Sequence, residues 1–294
     1  MAATLGSMVE GVLDTLYGHS AVQDAITSLT QPITDTDTQL TVDDTESVAT
    51  GLIEVDSELM RVKGVDLSTN VVTLLPSGRG VRGTTAVAHA AGADVRVAPV
   101  MPHFSVVREI NAEIGSLFPG LSAVASTELT ASSTTITYEL PADAVSVLDV
   151  RWRNPAGHWD RVRSWEVEFS QNTTDYASGK TIRAVTPDVG KIRVIYGKPF
   201  GTLTALTDDL ATLGVPESCE DLIRMGTILR LLPSMDIARL STISVPSADA
   251  NNKPPQPGTG VMVAREIKQQ YVARLSQEVG KFRLQYPARI HITR

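Results

Sequence analysis

A glycine-rich segment has the residue spacing most suggestive of chemistry. Residues 78–83 read Gly-Arg-Gly-Val-Arg-Gly, which fits the G-x-G-x-x-G pattern of dinucleotide-binding turns and follows a predicted strand at 71–75. Such a turn requires a helix of several turns behind it and an acidic residue about 20 positions further on. Here Gly92 interrupts the following segment early, the expected acidic position falls near residues 101–103, and the Gly-Lys-Ser/Thr of a P-loop is absent. The spacing therefore favours a tight turn over a nucleotide site.

A second suggestive group interleaves tryptophans with arginines. Aromatic rings beside cations can form a stacking platform for nucleic acid, whereas inward aromatics and outward arginines would describe a packed hairpin. Because side chains alternate along a strand, Arg161 and Arg163 would share one face of a predicted strand at 159–168. There they could bind carboxylates of a neighbouring subunit or phosphates, and we favour packing plus a subunit contact. The group comprises Arg151, Trp152, Arg153, Trp159, Arg161, Arg163 and Trp165.

The other ionisable residues predict no catalytic, cofactor or metal site. The single Cys219 is interpreted as a buried helical residue, and the histidines form no His-x-x-x-His pair. The paired carboxylates Asp43-Asp44 and Asp208-Asp209 lie in turn-like surroundings where aspartate bonds the local backbone, and binding of a divalent ion there stays open. No Gly-x-Ser-x-Gly elbow occurs, so we expect a protein that is not an enzyme. The five histidines are His19, His89, His103, His158 and His291.

Length and charge limit the possible classes. With 294 residues, 42% of them hydrophobic, the chain is long enough for two modest domains. It has neither a long apolar run nor the features of a signal peptide at its start, so we expect synthesis in a cytoplasm and no membrane partner. Residues 1–100 carry a net charge of −8, residues 101–216 carry −3 and residues 217–294 carry +4. An acidic front and a basic tail indicate contact with different surroundings.

Hydrophobic periodicity predicts an α+β protein. We expect a small antiparallel β module followed by a domain of packed helices with an inserted antiparallel β section. The predicted helices cover residues 8–29 with a break near Gly18 or Ser20, 103–118, 216–243 and 261–286, with Pro233 stopping the helix that opens at Pro216 and a short helix at 234–243. The predicted strands fall within 39–97 and 134–196.

Two parts of the chain resemble virion proteins of tailed bacteriophages. A β section ending at Tyr196, a loop at 197–204, the acidic Asp208-Asp209 and a helix opened by Pro216 follow one another in the order of head-to-tail adaptor proteins. This resemblance covers about residues 102–294. Separately, the Arg-Gly, Gly-Thr, Ala-His and Gly elements between Arg79 and Gly92 resemble a pattern in small β modules of phage virion proteins, where it is structural.

The adaptor resemblance implies a structural virion protein at the head-to-tail interface. Such proteins form a homo-oligomeric ring, usually of about twelve copies, beneath the portal protein, and a ring requires a head-to-tail interface. The ring would continue the channel for double-stranded DNA without sequence specificity and would meet a head-closure or other tail-side connector protein. We therefore expect an N-terminal helical segment at 1–30, a β module at 31–101 and an adaptor domain at 102–294. A minor tail or baseplate protein, or a virion-associated hydrolase, are the alternatives.

The C-terminal residues 287–294 have the pattern of an arm that binds a partner. Pro287 ends the preceding helix, and two isoleucines then alternate with polar residues, as in a strand with one apolar face. Added to the edge of a neighbouring sheet, such a strand would gain main-chain hydrogen bonds. We expect this arm to bind the portal through Arg289, Ile290, Ile292 and Arg294.

Overall fold

In the computed structural model the described residues are 3–18, 24–132, 136–186, 189–242 and 259–287. Across these ranges helices and antiparallel sheets are both present, which confirms the predicted α+β class. In chain order the elements are α1 (Leu5–Gly18), β1 (Ala25–Ser28), β2 (Gln39–Thr41), β3 (Gly51–Val55), β4 (Glu58–Asp66), β5 (Val71–Leu74), β6 (Asp94–Val97), α2 (His103–Ser116), β7 (Ala123–Ala131), β8 (Thr137–Glu139), β9 (Ser146–Arg153), β10 (Trp159–Arg161), β11 (Trp165–Glu168), β12 (Thr181–Ala184), β13 (Gly190–Lys198), α3 (Glu220–Thr242) and α4 (Thr259–Gln285).

The chain divides into two compact units. The first, here called the barrel unit, comprises residues 5–111 and 224–264. The second, here called the two-sheet unit, comprises residues 1–4, 112–223 and 265–294. Within the described residues no helix is both long enough and apolar enough to cross a lipid bilayer.

The N-terminal helix is shorter than its hydrophobic pattern predicts. Apolar residues three and four positions apart bury one side of α1, which ends at Gly18. The prediction of helix through residue 29 is wrong, because Ala25–Ser28 form strand β1 and pair antiparallel with β6. The β-branched Ile26 and Thr27 suit a strand, and cross-strand hydrogen bonds stabilise it here. The buried α1 residues are Leu5, Met8, Val9, Val12, Leu13 and Leu16.

Six strands form the sheet of the barrel unit in the order β1-β6-β3-β4-β5-β2. Its two edge strands meet, because the Thr30 amide donates to the Thr41 carbonyl at 2.9 Å and the Asp43 amide donates to the Ser28 carbonyl at 2.9 Å. The sheet therefore closes into a small barrel without a free edge. The five strands predicted between residues 39 and 97 are confirmed. Its core contains Leu29, Ile33, Leu40, Val42, Val48, Ile53, Val55, Met60, Val62, Val72, Leu74, Val95 and Val97.

Two antiparallel sheets form the β section of the two-sheet unit, one ordered β10-β9-β13-β7 and the other β11-β12-β8. The predicted single strand at 159–168 is wrong. It is two strands, β10 and β11, which belong to different sheets. Buried Val162 lies at the crossing, with its amide bound to the Val150 carbonyl at 2.9 Å. Strand β7, which the pattern did not predict, pairs along its whole length with β13.

Helix α3 continues through the residue expected to end it. Proline lacks an amide hydrogen, so a stop at Pro233 was predicted, yet the helix runs to Thr242 with Pro233 inside it. A single missing backbone hydrogen bond can be tolerated where the residues on both sides favour helix. The acidic Glu220 and Asp221 occupy the first turn, where negative charge favours the positive end of the helix. Helices α2 and α4 are confirmed close to their predicted ends.

Burial within α3 distinguishes two neighbouring apolar residues. Ile228 is buried, whereas the adjacent Leu229 is half-buried. Ile228→Ala is therefore expected to lower the free energy of unfolding by about 2–5 kcal/mol, because it leaves a cavity as well as removing buried apolar surface. Leu229→Ala should cost less than half as much. Chemical denaturation followed by circular dichroism measures both, and equal losses would contradict the burial difference.

Candidate functional site

The glycine-rich segment and strand β4 build a buried polar network around Glu58. The Glu58 carboxylate accepts hydrogen bonds from Arg79 Nε at 2.7 Å and Arg79 Nη2 at 2.9 Å. It also accepts from the amides of Gly80 at 2.9 Å and Val87 at 3.1 Å. A ring nitrogen of His89, Nε2, lies 2.9 Å from the same carboxylate. Five contacts on one carboxylate leave it little capacity to bind anything else.

The Arg79 guanidinium is equally occupied. Besides its two bonds to Glu58, Nη1 donates to the carbonyls of Thr34 at 2.6 Å and Asp37 at 3.0 Å, and Nη2 donates to the Val87 carbonyl at 2.7 Å. A guanidinium has five N–H donors, and all five are used here. Arg79 therefore joins β4 to the two loops that contain residues 34–37 and 87.

Histidine 89 extends the network to the surface. Its Nδ1 lies 2.6 Å from Asp56 Oδ2, and Asp56 occupies the two-residue turn between β3 and β4 with a left-handed φ of 53°. The His89 side chain is 1% exposed and the Asp56 side chain is 52% exposed. The backbone of His89 also exchanges hydrogen bonds with Ile33. The Ala-His element of the sequence pattern thus fixes a loop to the barrel.

The glycines of the segment are required by close backbone contacts. A Cβ at Gly78 would lie 2.7 Å from the Arg61 carbonyl oxygen, and Gly80 has a left-handed φ of 59°. The Thr84 hydroxyl donates to the Val81 carbonyl and accepts from the Leu59 amide. This arrangement confirms the prediction of a tight turn, and it gives Arg79, Gly80, Thr84 and His89 partners inside the barrel unit.

The pKa values of two buried glutamates on neighbouring strands are shifted in opposite directions. Burial alone would raise the pKa of Glu58, but the hydrogen bonds from Arg79, His89, Val87 and Gly80 outweigh it and lower the pKa to about 2. Burial raises the pKa of Glu54 to about 7, although the nearby amides of His103 and Phe104 at the start of α2 favour its charged form. Neither carboxylate oxygen of Glu54 makes a hydrogen bond of good geometry within the described residues.

The polar side chains near Glu54 bind other groups. Arg96 lies opposite Glu54 in the register of β3 and β6, yet its guanidinium donates to Glu10 at 3.2 Å. His103 Nδ1 lies 2.7 Å from the Asp56 carbonyl oxygen and Nε2 lies 3.4 Å from Glu10 Oε1. Burial and the charge of Arg96 lower the pKa of His103. Sequence reasoning missed Glu54 and Glu58 because both stand inside strands, where no local motif marks a buried carboxylate.

The structure separates the two arginines predicted to share a strand face. Arg161 ends β10, and its Nε donates to the buried Asp149 at 3.0 Å. Arg163 is exposed and lies beyond the end of β10, where the chain crosses from one sheet to the other. The prediction that the two arginines share one strand face is therefore wrong. Arg161 instead lies beside Arg151, which pairs with Arg193. The predicted portal-binding residues, Arg289, Ile290, Ile292 and Arg294, lie outside the described residues, as do His19 and His291.

The tryptophans divide between the core and the outer face. Trp152 and Trp165 pack in the core of the two-sheet unit, as the hairpin interpretation predicts. Trp159 is half-buried on the outer face, where the Arg193 guanidinium lies 4.1 Å from its ring centre. The remaining outer face is charged, so the interleaved pattern reflects a sheet with one apolar and one polar side.

The other ionisable residues have local structural roles. Asp208 accepts from the amides of Thr204 and Ala205, and Asp209 accepts from the Ala211 amide, as expected for turns. Cys219 is buried, and burial and the charge of Glu278 raise the pKa of its thiol to about 11. Among the described residues no group of three histidine, cysteine or acidic side chains could hold a metal ion.

The Arg79–Glu58 pair gives the first prediction from this site. Arg79→Ala removes both bonds to a buried carboxylate, so we expect the barrel unit to lose about 3–5 kcal/mol of unfolding free energy. Arg61→Ala removes an exposed arginine from β4 and should change stability by less than about 0.5 kcal/mol. Urea denaturation of both variants is the measurement. Similar stability of Arg79→Ala and wild type would show that the network does not stabilise the barrel.

Glu54 gives a pH-dependent prediction. Its folded pKa of about 7 exceeds the unfolded value, so ionisation destabilises the fold progressively from about pH 4.5 to pH 7. Glu54→Gln cannot ionise, and its stability relative to wild type should rise by about 2–3 kcal/mol between pH 4.5 and pH 8. Glu46→Gln, on an exposed loop, should show no such change. A constant difference between Glu54→Gln and wild type across this range would refute the raised pKa.

Comparison with known proteins identifies no relative, so function must be inferred from the residues of this chain. A scan against protein-family models and a search of curated proteins found no match. Three features of the described residues therefore bear on function: the hydrogen-bond network of Arg79, Glu58 and His89, the buried Glu54, and the charged outer face of the sheet β10-β9-β13-β7.

Proposed function

We propose that this protein is a structural virion protein of a tailed bacteriophage, a ring-forming head-to-tail connector adaptor bound beneath the portal. The observation that carries the proposal is the saturated network of Arg79, Glu58 and His89. The motif residues that could have cradled a phosphate instead bond to one another and to the barrel backbone. Because these side chains bind one another and the barrel backbone, we interpret the motif as part of a structural module.

The two-sheet unit supplies the second support. Strand β13, which carries Tyr196, is followed by a loop, by the turn at Asp208 and Asp209, and by a short 3-10 turn after Pro216 that leads into α3. This order of elements matches the one on which the adaptor resemblance rests. Helix α4 follows and is anchored by Arg274, which donates to Asp221 at 2.7 Å and to the Ser218 carbonyl at 2.7 Å.

A connector ring would surround double-stranded DNA during packaging and ejection. Tight DNA binding requires many lysine and arginine contacts with phosphate and weakens steeply as salt rises. The chain has a net charge of −7, so contact with passing DNA would be transient and independent of sequence. Its partners would be further copies of itself, the portal, and a connector protein on the tail side.

A minor tail or baseplate protein is the second candidate, because it would share the β module of the barrel unit. The Arg-Gly, Gly-Thr and Ala-His elements resemble phage virion β modules in general, so they do not distinguish the two positions in the particle. The C-terminal residues do distinguish them, because only the adaptor interpretation directs residues 287–294 to a portal.

Portal binding tests the proposed function. The full-length protein mixed with its cognate portal ring should co-sediment at a fixed ratio and add a ring of density in electron micrographs. Deletion of residues 288–294 should abolish co-sedimentation, because a strand added to a sheet edge contributes main-chain hydrogen bonds and apolar anchors.

A matched pair of variants tests the proposed alternation in the arm. Ile290→Asp with Ile292→Asp should weaken portal binding about as much as the deletion does, because both apolar anchors are lost. His291→Asp with Thr293→Asp introduces the same charge at the alternate positions and should have a smaller effect. Full binding by the deleted chain would exclude the docking arm, and binding to tail structures but not to portal rings would favour the second candidate.

A further inference from the structure

The outer face of the sheet β10-β9-β13-β7 is a concentrated basic surface. One row across the strands runs Arg161, Arg151, Arg193 and Glu128, each paired in register with the next. Strand register places three further residues on the same face, with Trp159 opposite Arg153 and with Lys191 on β13. We define the basic face as Arg151, Arg153, Arg161, Lys191 and Arg193.

The cations of the basic face are held in place yet remain accessible. Buried Asp149 accepts from Arg151 Nε and Arg161 Nε, both at 3.0 Å, and Glu128 accepts from Arg193 at 2.8 Å. The side chains of Arg151, Arg161 and Lys191 are nevertheless 45%, 58% and 56% exposed. Five cations against these two carboxylates leave three net positive charges. Arginines fixed in this way lose less side-chain entropy when they bind a second carboxylate.

One end of the barrel has the opposite charge. The loops that follow β2 and β4, and the first residue of β6, present five exposed carboxylates, and segments 42–51, 64–71 and 90–95 contain no lysine or arginine. Asn70 joins two of these loops, because its Nδ2 donates to the Asp43 carbonyl and its Oδ1 accepts from Thr45. We define the acidic end as Asp43, Asp44, Glu46, Asp66 and Asp94.

The acidic end also carries an apolar side chain suited to an interface. Leu67 follows Asp66 in the turn between β4 and β5 and is 69% exposed. On the basic face Ile195 occupies the row next to the arginines and is half-buried. Apolar contacts inside a rim of opposite charges are the usual composition of a specific protein interface.

We propose that the basic face of one copy binds the acidic end of a second copy. This inference deepens the proposed function and rests on it, because a ring requires two different, complementary surfaces on every copy. Protein carboxylates suit the face better than nucleic acid, because Arg193 covers one face of Trp159, which a base would need for stacking.

Two charge-reversal variants test this contact. Arg153→Glu with Lys191→Glu alters the basic face without touching the arginines bound to buried Asp149. Asp43→Lys with Glu46→Lys alters the acidic end at side chains that cap no turn. Each variant should weaken self-association about tenfold or more in sedimentation velocity at low salt. Arg108→Glu with Lys268→Glu makes an equal charge change at exposed sites elsewhere and should leave it unchanged.

Mixing the two variants separates this contact from other modes of association. Each mixed pair retains one intact basic face and one intact acidic end, so mixing should restore association at a one-to-one ratio. Raising the salt concentration should weaken the wild-type oligomer, because the paired charges are exposed to solvent. Circular dichroism melting of every variant establishes that the fold is retained. A basic-face variant that fails this control is replaced by Arg153→Gln with Lys191→Gln, and an acidic-end variant by Asp43→Asn with Glu46→Gln.

Three results would overturn the contact. They are a monomeric wild type at low salt, variants that associate like wild type, and a mixture of the two variants that does not associate. Loss of duplex DNA binding by the basic-face variant, with self-association intact, would assign the face to nucleic acid instead. Portal co-sedimentation is a separate test. A wild-type protein that self-associates through this contact but does not bind the portal would contradict the connector function and leave the proposed contact standing.

Discussion

The bidentate pairing of Arg79 with Glu58 is the interaction on which the barrel unit depends. A carboxylate that is almost inaccessible to water is stable only when hydrogen bonds replace its hydration. Here the guanidinium, two backbone amides and a histidine ring supply them, and the same guanidinium also binds three loop carbonyls. The loops around residues 34–37 and 78–89 are thereby fixed without hydrophobic burial of their own.

Glu54 shows what happens a few residues away when that compensation is missing. Both glutamates are buried, but Arg96 binds Glu10 and leaves Glu54 without a hydrogen-bond donor of good geometry. Burial then favours the neutral acid, so one barrel contains a carboxyl held ionised and another whose ionisation opposes folding near neutral pH. The difference arises from the hydrogen-bond donors around Glu58 and not from burial, which is similar for the two side chains.

The two-sheet unit uses its charges differently. Its inner faces bury Trp152 and pack half-buried Trp165 against the core, while Asp149 on the outer face binds two arginines that stay exposed. A buried carboxylate with exposed cations around it leaves positive charge available to a partner. This distribution accords with the proposed ring, in which neighbouring copies would meet through unlike surfaces.

The sequence alone determined the α+β class, the strands between residues 39 and 97, and the helices α2 and α4, because alternation and helical spacing report which side of an element is buried. It also identified residues 78–83 as a turn. Tertiary structure decided the rest. Residues 25–28 continue a helical pattern but become a strand because β6 offers hydrogen bonds, and α3 passes Pro233 because its neighbours favour helix. Glu58 and Asp149 could not be predicted as centres of polar clusters, since Arg79, His89 and Arg161 lie 12 to 31 residues from the carboxylates they bind and only the folded sheets bring them together.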